Sequence, residues 1–160
     1  MRILRDSDFH GIDLKPLIAA VRSQIIADAK GEAVAPPRHI VPFAKGNLTF
    51  TIGGDQSLAG FRAYQTFAGR HGGPDEYQVV AAWEQETGEM LGMALGNTLG
   101  ALRTGVIGPA PAQMLAPKSA KVLTVIGTGR QAETQLLAFA ALRSFAEIRV
   151  CGRRELQRRR

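Results

Sequence analysis

The chain has one cysteine, Cys151, in 160 residues, which removes an internal disulfide framework and a cysteine-based zinc cluster together. Its three histidines, His10, His39 and His71, stand at no metal-ligand spacing, so no metal site is expected. Neither a serine nucleophile elbow nor a Walker phosphate loop occurs. No apolar run approaches membrane-spanning length, and Met1-Arg-Ile-Leu-Arg-Asp-Ser-Asp8 lacks the apolar centre of a signal peptide. The expectation is a cytoplasmic protein with no membrane partner. Aromatics are few, with one Trp, two Tyr and seven Phe, and no base-stacking platform accompanies the arginines. Trp83 and Tyr77 read instead as one face of a sheet.

Charge is the next scarcity once it is localised. The net charge is +6, but Arg153 to Arg160 holds five arginines against one glutamate and so carries four of those six charges. The remainder is near neutral, residues 153–160 read as a solvated Arg-rich tail, and nucleic acid is not an expected partner. With 45% hydrophobic and 21% charged residues, the rest has the composition of a globular protein able to bury a core.

What is present is an α/β pattern. Arg2 to Leu4 suits a short strand. Asp13 suits an N-cap, Pro16 falls in a tolerant first turn, and a helix runs to about Ala29 before Gly31. Leu14, Leu17, Ile18, Val21 and Ile25 share one face at helical spacing. Beyond the stiff Pro36-Pro37, strands are predicted over Ile40 to Phe43, Leu48 to Ile52, Phe61 to Phe67 and Tyr77 to Trp83. Tyr77, Val79, Ala81 and Trp83 alternate onto one face of the last. Glu86-Thr-Gly88-Glu89 is a hairpin turn into Met90 to Leu95. Asn97 or Thr98 caps a helix carrying Leu99, Leu102 and Val106, and Gly108-Pro109-Ala-Pro111 should kink or end it. Pro117-Lys-Ser119 is a linker.

The most informative stretch follows it. Val122-Leu-Thr-Val-Ile126 is β-branched and apolar, runs straight into Gly127-Thr-Gly129, and is succeeded by a helical pattern. A dinucleotide fingerprint requires that strand–turn–helix context. Gly127 suits the tight turn, Gly129 lets backbone approach a pyrophosphate, and Ala132 is small enough for close helix–strand packing. The helix start then offers its N–H groups to phosphate. The cofactor-binding candidates are therefore Gly127, Thr128, Gly129, Arg130, Gln131 and Ala132. An acidic residue about twenty positions on would take the ribose hydroxyl of NAD. Here Arg149-Val-Cys-Gly-Arg153-Arg154 stands instead, so Arg153 is a candidate for a 2′-phosphate and NADP is favoured over NAD, with Glu155 keeping NAD open.

In this order, Pro36-Pro-Arg38, Ala101-Leu-Arg-Thr-Gly105 and Ile126-Gly-Thr-Gly-Arg-Gln-Ala132 with Gln135-Leu-Leu137 resemble the ornithine cyclodeaminase/μ-crystallin family. The resemblance covers nearly the whole chain, from the opening helix ending in Ala29-Lys-Gly31 to Arg149-Val-Cys151. It implies an N-terminal α+β substrate-binding and dimerisation domain over 1–116, followed by the βαβ start of a Rossmann NAD(P)-binding domain over 117–152. Family members are longer, so the resemblance casts the chain as an N-terminal portion ending inside the nucleotide domain.

The resemblance also implies a chemistry. Members move a hydride to or from the α-carbon of an α-amino or α-imino acid, whose carboxylate would be held by Arg38 and Arg103. Guanidinium forks suit that task because they grip a carboxylate bidentately. Thr104 and Gly105 would lie at a helix start beside the cofactor phosphates. The family's acid/base lysine falls at Arg62, the candidate catalytic residue, which can bind or stabilise an anion but cannot take up a proton. The family's site aspartate has no counterpart up to Arg160; Asp55 and Asp75 lie in turn contexts. His39 reads as a turn residue next to the substrate arginine. Homodimers through the sheet are implied, with apolar strand edges such as Phe61 to Phe67 as a physical reason. Two readings stay open: an NAD(P)-dependent oxidoreductase or deaminase, and an inactive, crystallin-like module that binds small ligands or associates with itself.

Overall fold

The computed structural model describes residues 1–67 and 78–152. His71, Asp75, Tyr77, Arg153 and the rest of the Arg-rich tail lie outside the described residues. The elements in chain order are β1 (Arg2–Arg5), a 3-10 turn (Asp6–Phe9), α1 (Leu14–Ala29), β2 (His39–Phe43), β3 (Gly46–Gly54), β4 (Leu58–Gln65), β5 (Gln78–Glu84) and β6 (Met90–Gly96). They continue with α2 (Thr98–Ile107), α3 (Pro109–Leu115), β7 (Val122–Ile126), α4 (Arg130–Leu142) and β8 (Glu147–Cys151). The fold is α/β, and the chain packs as two compact units. One comprises Met1–Gly11 with Gln24–Leu99; the other comprises Ile12–Ser23 with Gly100–Arg160, described to residue 152. Packing therefore cuts the chain differently from the sequence boundary at 116/117, because the first half of α1 and most of α2 belong with the helices around β7.

The first unit is built on a six-stranded sheet in the order β1-β6-β5-β4-β3-β2, antiparallel except for the parallel β1–β6 pair. Register fixes its faces. Ile3, Met93, Ala81, Phe61 and Ile52 are aligned across five strands and make one apolar row, in which Phe61 stacks on Trp83. The opposite face carries Thr51, Arg62, Val80 and Ala94 in the neighbouring row. The stretch Phe61 to Phe67 is thus not an edge. Its residues up to Gln65 belong to β4, paired on both sides, and the edges are β1 and β2. His39 likewise opens strand β2 rather than occupying a turn.

One carboxylate ties the two ends of this unit together. Asp6 accepts the backbone N–H groups of Thr98 at 2.8 Å and Asn97 at 3.2 Å, capping the start of α2 from a residue more than ninety positions earlier. Gly96, at φ +123°, is glycine because a side chain there would collide with that carboxylate as well as strain the backbone. Burial pushes the Asp6 carboxyl up, but the bonds from Thr98 and Asn97, helped by the Thr98 hydroxyl and the nearby His10, outweigh it and hold Asp6 below its ordinary 3.8.

The second unit has a core of Leu14, Ile18, Val106, Ala110 and Ala138, flanked by Leu17, Val21, Leu102, Ala141 and Leu142. The predicted stripe on α1 is buried through Ile18 but not to its end, since Ile25 is 46% exposed and lies past Ser23, where the second unit's share of the helix stops. The prolines after Gly108 end α2 at Ile107 and start α3, with Pro109 in the first helical turn. Gly105 is required by packing: a Cβ there would lie 2.7 Å from Thr134 Cβ, so α2 and α4 touch at that point. Strands β7 and β8 are parallel and joined by α4, the βαβ unit read from the sequence.

Two stability outcomes follow from this packing. Ile18→Ala should cost about 2–5 kcal/mol in urea unfolding, whereas Ile25→Ala should cost less than about 1 kcal/mol; equal losses would contradict the burial described. Asp6→Ala should cost roughly 0.5–2 kcal/mol at neutral pH through loss of the cap. Because the folded-state pKa is depressed, that contribution is full above the unfolded value and disappears as pH falls through the folded one. Wild-type and variant melting curves should therefore converge in acid; a gap that persists there would exclude the carboxylate as its source.

Candidate functional site

Two groups of predicted residues fall on the two units, and each has its own geometry. In the first unit, β4 alternation sends Arg62 and Tyr64 to the same face. The Arg62 guanidinium carbon lies 4.6 Å from the Tyr64 ring centroid, a cation–π distance. Arg38, just before β2, donates from Nη1 to the Tyr64 hydroxyl at 3.3 Å. The same tyrosine therefore engages both guanidinium groups, one on its ring and the other on its oxygen. Among the described residues neither arginine is ion-paired with a carboxylate, so the face presents two fixed positive charges.

Arg62 has a further feature. Its Nε is buried and has no hydrogen-bond partner, and the same holds for Oε1 of Gln78 at the start of β5. Leaving a buried polar atom unmade costs about 1–3 kcal/mol, more for a charged group, so two on one sheet face need an explanation. An incoming ligand with an acceptor for Arg62 supplies one. The sequence pointed to Arg38 and Arg62 by resemblance. It did not point to Tyr64 or Gln78, whose only signal was strand alternation beside Arg62.

In the second unit, Gly127 adopts φ +116°, a conformation that favours glycine, and its N–H donates to the Cys151 carbonyl at 2.7 Å. This bond ties the turn to the end of β8. Gly152 touches the turn too, since a Cβ there would lie 2.6 Å from Thr128 Cγ2. Gly129 is different. It is the N-cap of α4 with φ −86°, which any residue adopts, and a Cβ on it would meet nothing within 4 Å. Neither torsion nor packing inside the chain calls for glycine at 129. A cradle that any side chain would partly fill fits the close approach of a phosphate group.

The other fingerprint residues stand around that opening. Arg130 and Gln131 are exposed at the helix start, and Ala132 is half-buried in the first turn, its N–H bonded to the Gly129 carbonyl at 2.9 Å. Arg130 and Glu133 offset one another, leaving the backbone N–H groups as the main attraction for an anion. Thr104 departs from expectation: it lies in the second half of α2, not at a helix start, and its hydroxyl donates to the Gly100 carbonyl at 2.8 Å. The helix begins six residues earlier, where Asp6 caps it. Arg103 is exposed on the same helix. Within β8, Arg149 forms a two-point pair with Glu147 at 2.8 and 2.9 Å, which engages its guanidinium.

A cavity of about 310 Å³ in the second unit is lined by Pro109, Leu123, Phe139, Leu142 and Arg143 among others. It sits by the start of β7 and the end of α4, whereas the glycine turn joins their other ends. It is not part of the fingerprint. Among the described residues no cluster of His, Cys, Asp and Glu could hold a metal ion, and no helix is long and apolar enough to cross a membrane.

Comparison with known proteins agrees with the order of these elements. The chain is 30% identical over 146 residues to Delta(1)-pyrroline-2-carboxylate reductase 2 of Burkholderia ambifaria, covering 89% of this chain and 47% of that protein. It is 24% identical over 147 residues to ketimine reductase mu-crystallin of Macropus fuliginosus, covering 88% and 47%. An archaeal alanine dehydrogenase dimer with bound NAD superposes with a TM-score of 0.84 at 27% identity, covering 98% of this chain and 50% of that one. The iminosuccinate reductase of Paracoccus denitrificans, solved with NAD+, shares the fold with a TM-score of 0.83 at 24% identity, covering 94% and 49%. The chain thus spans about half the length of the relatives it matches. The model of the ornithine cyclodeaminase/mu-crystallin family matches residues 10–160, and the chain belongs to that family.

Proposed function

We propose that this chain supplies the carboxylate-holding face and the phosphate turn of an NAD(P)-dependent oxidoreductase or deaminase that acts at the α-carbon of an α-amino or α-imino acid. The observation that carries the reading is Gly129, a glycine that the chain's own torsions and packing do not require. A ligand brought against the backbone does require it. Gly127, Thr128, Arg130, Gln131 and Ala132 complete the turn and helix start around the pyrophosphate. A bound nicotinamide supplies or accepts the hydride. On the other unit, Arg38 and Arg62 hold the substrate carboxylate. Such a grip fixes the α-carbon and lowers the entropic part of the barrier. Arg62 keeps its charge throughout, so it stabilises the anion and takes no proton. NADP is favoured over NAD because β8 ends in Val150-Cys151 with no acid at the ribose position, while Arg153 follows.

The relatives support the substrate class: they include a pyrroline-carboxylate reductase, a ketimine reductase and an iminosuccinate reductase, each named for an imine substrate. Titration of the full chain with NADPH and NADH, followed by nicotinamide fluorescence, tests the reading. Saturable binding is expected, tighter for NADPH. Gly129→Ala should weaken it at least about tenfold with no change in melting temperature, since its methyl group meets only the ligand. An unaltered affinity in that variant would overturn the assignment of the turn.

A second reading is favoured by a specific observation. In the apolar row of the six-stranded sheet, Ile3 is 53% and Ile52 61% exposed. Exposed apolar surface of this kind marks association, and the self-complementary partner is a second copy. The proposed homodimer is tested by light scattering: a dimer is expected for the wild-type chain and a monomer for Ile52→Lys. A monomeric wild type at micromolar concentration would remove it.

A further inference from the structure

We infer that Gln78 is a specificity-determining residue that accepts the N–H of the bound amino or imino acid, next to the guanidinium that holds its carboxylate. The inference rests on the reading of Arg62 as a carboxylate holder and goes beyond it by naming what recognises the nitrogen.

The argument starts from register. In the β4–β5 ladder Arg62 stands opposite Val80 and Ala63 opposite Val79, so the next position, Gln78, falls beside Tyr64. Residues two apart on a strand share a face, which puts Gln78, Val80, Arg62 and Tyr64 together. Two buried atoms of that cluster lack partners: Nε of Arg62, which can only donate, and Oε1 of Gln78, which can only accept. They are complementary to one another but are not bonded to one another. Each is therefore available to a third group, and one that satisfies both must carry an acceptor and a donor close together. An α-amino or α-imino acid has that arrangement, because its carboxylate and its N–H are attached to the same carbon. A simple carboxylate serves only Arg62, and an amine alone serves only Gln78. The positive charges of Arg38 and Arg62 direct the carboxylate to the arginine side. That leaves the nitrogen to the unpartnered neutral acceptor, Oε1 of Gln78, and fixes which way round the substrate lies.

The test uses two ligands of one shape. Pyrrole-2-carboxylate carries a neutral ring N–H, and furan-2-carboxylate replaces it by an oxygen that can only accept. The full chain is titrated with each by ligand-observed NMR. Wild type should bind pyrrole-2-carboxylate about tenfold more tightly than the oxygen analogue, the difference expected for one lost hydrogen bond that leaves a buried acceptor unpaired. Gln78→Met should erase that preference while both ligands still bind. Gln78→Leu, likewise without an acceptor and without a charge, should erase it too, which decides the matter should the methionine variant fail to fold. Arg62→Met should weaken both ligands equally.

The outcomes separate the two claims. Equal binding of the two ligands by wild type overturns the role of Gln78 and leaves the carboxylate reading standing. A preference that survives in Gln78→Met or in Gln78→Leu also overturns it. If wild type binds neither ligand, the carboxylate reading falls and the inference falls with it. Tighter binding of the oxygen analogue would show that Gln78 turns its amide N–H₂ to the ligand, the reverse of the polarity assigned.

Discussion

Strand β4 is the constraint on which the rest of the first unit depends. It is hydrogen-bonded along its length to β3 on one side and β5 on the other, so its register sets two faces at once. With the pairing as found, Phe61 joins the apolar row while Arg62 joins Thr51 and Val80 on the opposite side. A slip by one residue would drive the Arg62 guanidinium into the row of Met93 and Ala81 and turn Phe61 onto the polar face. That slip is opposed from both neighbours, since the same alternation is written into β3 and β5. The placement of two cations beside Tyr64 is therefore a consequence of sheet packing, and needs no further device to hold it.

The glycine turn depends on a different kind of constraint. Gly127 has a reason inside the protein, its positive φ and the bond to Cys151 that closes the turn on β8. Gly105 has one as well, the contact with Thr134. Gly129 has neither, and a glycine in this position also weakens the helix start by offering no side-chain cap. The cost is tolerated where an outside group must approach the backbone. The contrast separates glycines required by the chain's own torsion or packing, Gly127 and Gly105, from one that is not, Gly129.

Much of this was legible in residue order, for reasons that differ by element. The β7 strand and its glycine turn are local features, set by a β-branched run and by torsion, so they could be read without knowing any neighbour. The break after Gly108 was equally local, because proline excludes a continuing helix. Tertiary facts were not. Ile25 has the spacing of a core residue, and only the extent of packing along α1 decides that it is exposed. The strand around Phe61 looked like an edge because pairing partners cannot be counted from its own sequence. Thr104 was placed at a helix start, but the start is fixed at Thr98 by an aspartate more than ninety residues away. Gln78 was missed for the same reason: its place next to Tyr64 and Arg62 comes from the pairing of β4 with β5.

The arginine at position 62 changes what this face can do. A lysine there could exchange a proton with the substrate, since its ammonium shifts readily on burial; a guanidinium cannot. Under the proposed function the sheet face serves recognition, with fixed charge from Arg38 and Arg62 and a neutral acceptor from Gln78. Proton movement at the substrate nitrogen must then come from solvent or from a group other than these three.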